Sequence, residues 1–160
     1  MIILNMKRIQ LKPFLFSVIL LLLSIASKAQ VSKDPDALLS LKKPWTDKEL
    51  IEPSVLVADF KNDKAPLIFN TGAVEDILGA RHIGAASDAQ NLQKLKDAVL
   101  DLPKNTAIVI YCGCCPFFKC PNVRPAYLEL KKMGFRNVSV LNLPENLKKD
   151  WTDKGYPLAK

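Results

Sequence analysis

The sequence predicts an α/β fold, in which a mainly parallel central sheet is flanked by helices on both faces. Short apolar segments rich in β-branched residues alternate along the chain with amphipathic segments of helical period. That order is typical of parallel strands joined by crossover helices. Residues 106–111 form one continuous, mostly apolar run, as expected for a strand that is covered on both faces.

The strands are short and the helices are marked by apolar residues three or four positions apart. Strands are expected at 65–70, 81–83, 106–111 and 138–141. The helical positions in 91–102 are Leu92, Leu95, Val99 and Leu102, and those in 123–133 are Val123, Ala126, Tyr127, Leu130 and Met133. Pro103 and Gly134 follow these segments and are suited to end them. The tail from residue 142 is predicted to be loop and a short helix.

Residues 30–64 are predicted to be an N-terminal leader and one or two short helices that pack on the domain, which spans residues 65–160. Thr46 and Glu49 have the spacing of a capping box. Apolar residues then recur at near-helical spacing as far as Phe60, although Pro53 interrupts them.

The chain's length and composition fit a single domain. Its 160 residues are 49% hydrophobic and 24% charged, which excludes wholesale disorder. The formal net charge is +7, but four basic residues and no acidic one lie in residues 1–29, so the remainder carries only +3. Its lysines are interspersed with acidic residues, and we therefore expect no nucleic-acid partner. The oligomeric state is not predicted.

Residues 1–29 have the pattern of a secretory signal peptide. A basic stretch over residues 6–12 precedes an apolar run from Phe14 to Ile25, which is shorter than the roughly 20 residues that span a membrane. Ser27 and Ala29 are small residues suited to cleavage after Ala29. We expect a periplasmic or secreted bacterial protein with no membrane association after cleavage. An uncleaved N-terminal anchor is the alternative.

The four cysteines lie within nine positions: Cys112, Cys114, Cys115 and Cys120. This clustering excludes a disulfide framework between distant parts of the chain, and the single histidine, His82, excludes a His-rich metal site. Cys112 follows the strand 106–111 directly, at the strand end where α/β sheets bind ligands. Loop N–H groups and the next helix N-terminus favour anions there and lower the pKa of a thiol. We therefore expect Cys112 to be a thiolate that attacks sulfane sulfur and then carries it as a persulfide.

Several segments resemble the rhodanese domain. Residues 108–112, an arginine near a helix start, residues 130–141 and residues 151–158 resemble its second half, and residues 79–85 resemble its Gly-His-Ile-Pro-Gly-Ala segment. The resemblance covers roughly residues 66–158. It implies an α/β fold around a parallel sheet and a persulfide-bearing cysteine at the end of the central strand, the position of Cys112. It implies sulfurtransferase activity and no organic cofactor. His82 matches a structural histidine of the family and is interpreted as a hydrogen-bonded turn residue.

The cysteine loop is predicted to bind a small sulfur-containing anion or a thiol. Lys119 and Arg124 would supply positive charge, and Arg124 matches the family's arginine at the helix start. Gly113, Cys114 and Cys115 are the other predicted substrate-binding residues. Cys114, Cys115 and Cys120 are candidates for a resolving thiol or a local disulfide. No metal ligand is predicted, although a zinc or copper site of all four cysteines is geometrically feasible.

The chain departs from the rhodanese pattern in three respects. Asn70-Thr71-Gly72 stands where the family usually has Asp-x-Arg, and Arg124 lies twelve positions after Cys112, in a loop about twice the usual length. Three extra cysteines, Cys114, Cys115 and Cys120, lie within that loop. Phosphatases of this fold need a cysteine and an arginine separated by five residues, and Phe118 stands at that cysteine position, which excludes their reaction. Two further functions fit the cysteine cluster, namely an envelope thiol–disulfide redox protein and a non-catalytic module that binds sulfur compounds or soft metals.

Overall fold

The computed structural model describes residues 43–160, so the predicted signal peptide and most of the leader lie outside the described residues. The strands and helices are β1 (Leu50–Ile51), α1 (Pro53–Lys61), β2 (Leu67–Asn70), β3 (Ala80–His82), α2 (Ala89–Val99), β4 (Ile108–Tyr111), α3 (Val123–Lys132), β5 (Val138–Leu141) and α4 (Leu147–Asp150). Short 3-10 helices occur at Asp47–Glu49, Phe117–Lys119 and Thr152–Lys154. Within residues 43–160, no helix is long and apolar enough to cross a membrane.

The five strands form one sheet in the order β1-β5-β4-β2-β3, and every pair of neighbours is parallel. The predicted α/β class with a mainly parallel sheet is confirmed. Strand β4 lies at the centre, between β5 and β2. Tyr111 pairs in register with Asn70, so β4 and β2 end side by side. The loops that follow these two strands are therefore neighbours.

Helices cover both faces of the sheet, because side chains of a strand alternate between its two faces. Leu95 and Val99 of α2 pack on one face with residues of α3, and Leu56 of α1 packs on the other with Leu147 of α4. All four residues of β4 are buried. The first cluster also contains Cys112 and Cys120, so two of the four cysteines are part of the hydrophobic core.

The segment before residue 65 contributes more than surface helices. Strand β1 pairs with β5 at the sheet edge, and no strand was expected there. Pro53 does not interrupt a helix but is the first residue of α1, where its missing N–H breaks no helical hydrogen bond. Glu49 accepts a hydrogen bond from the Thr46 N–H at 2.9 Å, in agreement with the predicted capping box.

Tyr111, the last residue of β4, ties the loop after β2 to the sheet. Its buried hydroxyl accepts a hydrogen bond from the Ile77 N–H at 2.9 Å and donates one to the Glu75 carbonyl at 3.1 Å. Burial raises the pKa of Tyr111 above its ordinary value. The hydroxyl therefore stays protonated and can act as donor and acceptor at once.

Replacement of Tyr111 by Phe should destabilise the fold by roughly 1–3 kcal/mol, because it leaves the Ile77 N–H without its partner. Urea unfolding followed by circular dichroism measures the change. Tyr156→Phe is the control, since this half-buried ring packs on Trp151 at a centroid distance of 5.3 Å and keeps that contact without its hydroxyl. Equal unfolding midpoints for Tyr111→Phe and the parent protein would contradict the assigned role.

Candidate functional site

The candidate site lies at the carboxyl ends of β2 and β4. From β2 the chain continues to β3 on one side of the sheet, and from β4 it continues to β5 on the other. The two loops therefore diverge and leave a crevice between them, which is the switch point where α/β sheets bind ligands. Thr71 donates to the Tyr111 carbonyl through its N–H at 2.7 Å and its hydroxyl at 2.9 Å. These bonds hold the start of the β2 loop beside Cys112.

Gly72, in the loop after β2, lies directly against Cys112. A Cβ atom at this position would lie 2.5 Å from the Cys112 carbonyl oxygen and 2.6 Å from its Sγ. The Gly72 N–H donates to the Asn70 side-chain carbonyl at 3.0 Å. Any side chain at residue 72 would therefore force Cys112 to move. The absence of a side chain at Gly72 therefore shapes the sulfur site directly.

Asn70 organises the rest of the β2 loop. Its buried Nδ2 donates to the Val74 carbonyl and to the Asp76 carboxylate, both at 2.8 Å. Nδ1 of His82 lies 3.0 Å from the same carboxylate oxygen. His82 is hydrogen-bonded, as predicted, but it is the last residue of strand β3 rather than a turn residue.

Three sulfur atoms converge in the crevice. The Sγ atoms of Cys112, Cys114 and Cys120 all lie within 4.8 Å of one another, and those of Cys112 and Cys114 are 3.0 Å apart. Cys115 is outside this group, with its Sγ 3.6 Å from that of Cys114. All four cysteines are free thiols. The three convergent sulfurs are close enough to exchange protons or sulfur, or to be ligands of one soft metal ion.

Asn122 completes the surroundings of Cys112 and is not among the residues predicted from the sequence. Its Nδ2 donates to the Cys112 Sγ at 3.3 Å, and its Oδ1 accepts from the Ser87 N–H at 3.0 Å. An asparagine directly before a helix is typical of an N-cap, yet this side chain makes no capping bond. Its amide is used for Cys112 and Ser87 instead. Its place just before α3 was the only sequence signal.

Hydrogen-bond donors favour the anionic form of Cys112. The Cys120 thiol, the Asn122 amide and the Cys114 N–H and thiol lower the pKa of Cys112 to about 5, although burial acts in the opposite direction. Burial and the neighbouring Cys112 raise the pKa of Cys114 to about 12. The hydrogen bond to Cys112 raises the pKa of Cys120 as well, together with burial. These shifts favour a thiolate at Cys112 and thiols at Cys114 and Cys120.

Gly113 fixes the cysteine loop against α4. It adopts a left-handed backbone with φ of 74°, which glycine tolerates without strain. Its carbonyl accepts a hydrogen bond from the Leu147 N–H at 2.8 Å, and a Cβ atom at residue 113 would lie 2.7 Å from the Leu147 Cβ. The structure thus gives Gly113 a packing role beside its predicted role in substrate binding.

The two predicted cationic residues lie on different elements, Lys119 in the cysteine loop and Arg124 in helix α3. Lys119 is exposed, and its Nζ lies 5.7 Å from the Phe118 ring centroid. Arg124 is half-buried in the first turn of α3, two residues after Asn122. The 3-10 helix that contains Lys119 packs against Trp45 through Phe117, and the two ring centroids are 6.1 Å apart.

A cleft of about 630 Å³ opens beside the sulfur cluster, a volume typical of small-molecule sites. Its walls include Val74, Gly113, Cys114, Asn146, Lys148 and Lys149. Both lysines make ion pairs with Asp153. Cys114 is exposed and lines this cleft, whereas Cys112 is only 1% exposed and does not. A solute in the cleft therefore meets Cys114 first.

No protein-family model and no curated protein matches the chain. A wholly parallel sheet flanked by helices is compatible with a rhodanese-like fold and is shared by other α/β proteins. The geometry around Cys112 accordingly carries the functional interpretation.

Proposed function

We propose that this protein is a rhodanese-like sulfurtransferase that carries sulfane sulfur as a persulfide on Cys112. The observation that carries the proposal is the setting of the Cys112 Sγ, at the carboxyl end of the central strand with the Asn122 amide 3.3 Å away. A thiolate held by neutral donors is a nucleophile. The same donors suit a persulfide anion. The predicted signal peptide would direct the protein to the periplasm or the exterior.

The reaction has two steps that balance without an external oxidant or reductant. The Cys112 thiolate attacks the outer sulfur of a donor such as thiosulfate. A new S–S bond forms, the donor's S–S bond breaks, and sulfite leaves with the bonding electron pair. A thiolate or cyanide then attacks the outer sulfur of the persulfide, and Cys112 leaves as a thiolate. Each step breaks one S–S bond and forms either a new S–S bond or, with cyanide, a sulfur–carbon bond, and each conserves charge.

Incubation of the reduced protein with thiosulfate should add one sulfur, about 32 Da, to Cys112. Intact-mass measurement and peptide fragmentation locate the addition, and thiocyanate formation from cyanide measures transfer. Cys112→Ser should abolish both. Leu100→Ala is the control, since Leu100 is 63% exposed directly after α2 and lies outside the cysteine loop, and it should load normally. Full sulfur transfer by a folded Cys112→Ser protein would refute the proposal.

A second candidate function, an envelope thiol–disulfide redox protein, is favoured by the 3.0 Å separation of the Cys112 and Cys114 sulfurs. In that reaction the Cys112 thiolate and the Cys114 thiol lose two electrons and one proton to a disulfide-class oxidant. An S–S bond forms between them, and the oxidant's S–S bond breaks to leave one thiol and one thiolate. Cys112 would form this disulfide with Cys114, although Cys112 and Cys115 are the pair with the Cys-x-x-Cys spacing. Titration in thiol–disulfide buffers distinguishes the candidates: a reversible couple without persulfide formation favours the redox protein.

A further inference from the structure

The sulfur that reacts and the sulfur that faces solvent are different atoms. Cys112 is buried at the switch point, and Cys114 is exposed and lines the 630 Å³ cleft. The two Sγ atoms are only 3.0 Å apart. A thiol acceptor in the cleft therefore has Cys114 between itself and Cys112.

We propose that Cys114 is a second sulfur carrier, which takes the outer sulfur from Cys112 and presents it to a thiol acceptor in the cleft. The inference rests on the proposed function, because it needs a persulfide on Cys112. The outer sulfur of that persulfide would be bonded to the Cys112 Sγ at about 2.05 Å, and the Cys114 Sγ lies 3.0 Å from that same Sγ. Holding the attacking thiol beside the persulfide gives the intramolecular step a large advantage over a dissolved competitor.

The transfer balances within the protein. The Cys114 sulfur attacks the outer sulfur of the Cys112 persulfide, the S–S bond to Cys112 breaks, and Cys112 leaves as a thiolate with the bonding pair. The proton of the Cys114 thiol moves to the outer sulfur. A thiol acceptor then attacks that outer sulfur at Cys114, forms its own S–S bond and restores the Cys114 thiol. No oxidant or reductant is consumed.

The other two cysteines are less suited to this role. Cys120 lies within the three-sulfur group but is only 5% exposed and belongs to the core. Cys115 is partly exposed, yet it is outside the group that surrounds Cys112. Among the four, Cys114 alone contacts the Cys112 sulfur and lines the cleft.

The test loads the purified protein with thiosulfate, traps persulfides by rapid alkylation and then measures sulfur transfer to glutathione. In the parent protein, added sulfur should appear on Cys112 and then on Cys114. In Cys114→Ser, Cys112 should still load, but transfer to glutathione should fall by roughly ten-fold or more because the intramolecular step is lost. Cys114→Ala provides a second variant if the serine protein misfolds. Leu100→Ala, at an exposed position directly after α2 and outside the cysteine loop, should behave like the parent.

The outcomes separate this inference from the proposed function. If the parent protein gains no sulfur, persulfide chemistry at Cys112 itself fails. If Cys114→Ser loads and transfers at the parent rate, the relay is wrong and the sulfurtransferase proposal stands. A Cys112–Cys114 disulfide formed with release of hydrosulfide would also overturn the relay, since Cys114 would then have attacked the inner sulfur.

Discussion

Gly72→Ala is expected to displace Cys112 and to remove most persulfide formation. The new methyl carbon would lie 2.5 Å from the Cys112 carbonyl oxygen and 2.6 Å from its Sγ. Those atoms belong to the end of the buried central strand, so they have little freedom to move aside. Forcing an extra carbon into a packed interior costs about 1–3 kcal/mol. Urea unfolding measures that loss, and mass analysis after thiosulfate measures persulfide formation.

Gly79→Ala separates the steric effect at Gly72 from the general cost of replacing a glycine. Gly79 has a left-handed φ of 74°, and a Cβ atom there would meet nothing within 4 Å. The replacement should cost about 1–2 kcal/mol of backbone strain and leave the loading of Cys112 intact. Normal loading of a folded Gly72→Ala protein would show that the close contact with Cys112 is not needed for the reaction.

The sequence predicts the central part of the fold because the strongest local signals coincide with the tertiary structure there. Strand β4 is a continuous apolar run and is buried on both faces, so its pattern and its environment agree. Strand β1 shows the opposite case. It has only two residues, Leu50 and Ile51, too few for a periodic pattern. Its extended conformation depends on pairing with β5, which is distant in the sequence.

The position of Cys112 is predictable, whereas the atoms around it are not. The prediction of a reactive cysteine after β4 rests on the strand end alone. Cys120 lies close to Cys112 only because of how the long loop folds. Phe117 of this loop packs against Trp45, and the Phe117 N–H donates to the Leu143 carbonyl at 3.2 Å. These contacts join segments far apart in the chain. The spacing of the cysteines in the sequence therefore could not predict which of their sulfur atoms lie close together.

Asn122 is expected to set the pH range in which Cys112 reacts. A low pKa keeps a thiol ionised above that pKa, so loading in the parent protein should rise as pH increases through about 5 and be constant near neutrality. A hydrogen bond to a charged group contributes about 1.5–3 kcal/mol. Its loss in Asn122→Ala should therefore raise the pKa of Cys112 by roughly one to two pH units. The initial rate of persulfide formation, measured from acid to alkaline pH, gives this midpoint.

Asn122→Asp distinguishes the bond to Cys112 from the bond to Ser87. The carboxylate has nearly the same shape and still accepts the Ser87 N–H, but it donates nothing to the sulfur and adds a negative charge beside it. Its midpoint should therefore lie above that of Asn122→Ala, even though its fold is better preserved. If Asn122 had only a structural role, Asn122→Ala would lose more stability and loading than Asn122→Asp. The pH midpoint of loading would then be the same as in the parent protein for both variants. Because the thiolate is restored once pH exceeds the raised pKa, the loading rates of both variants should approach the parent rate at alkaline pH.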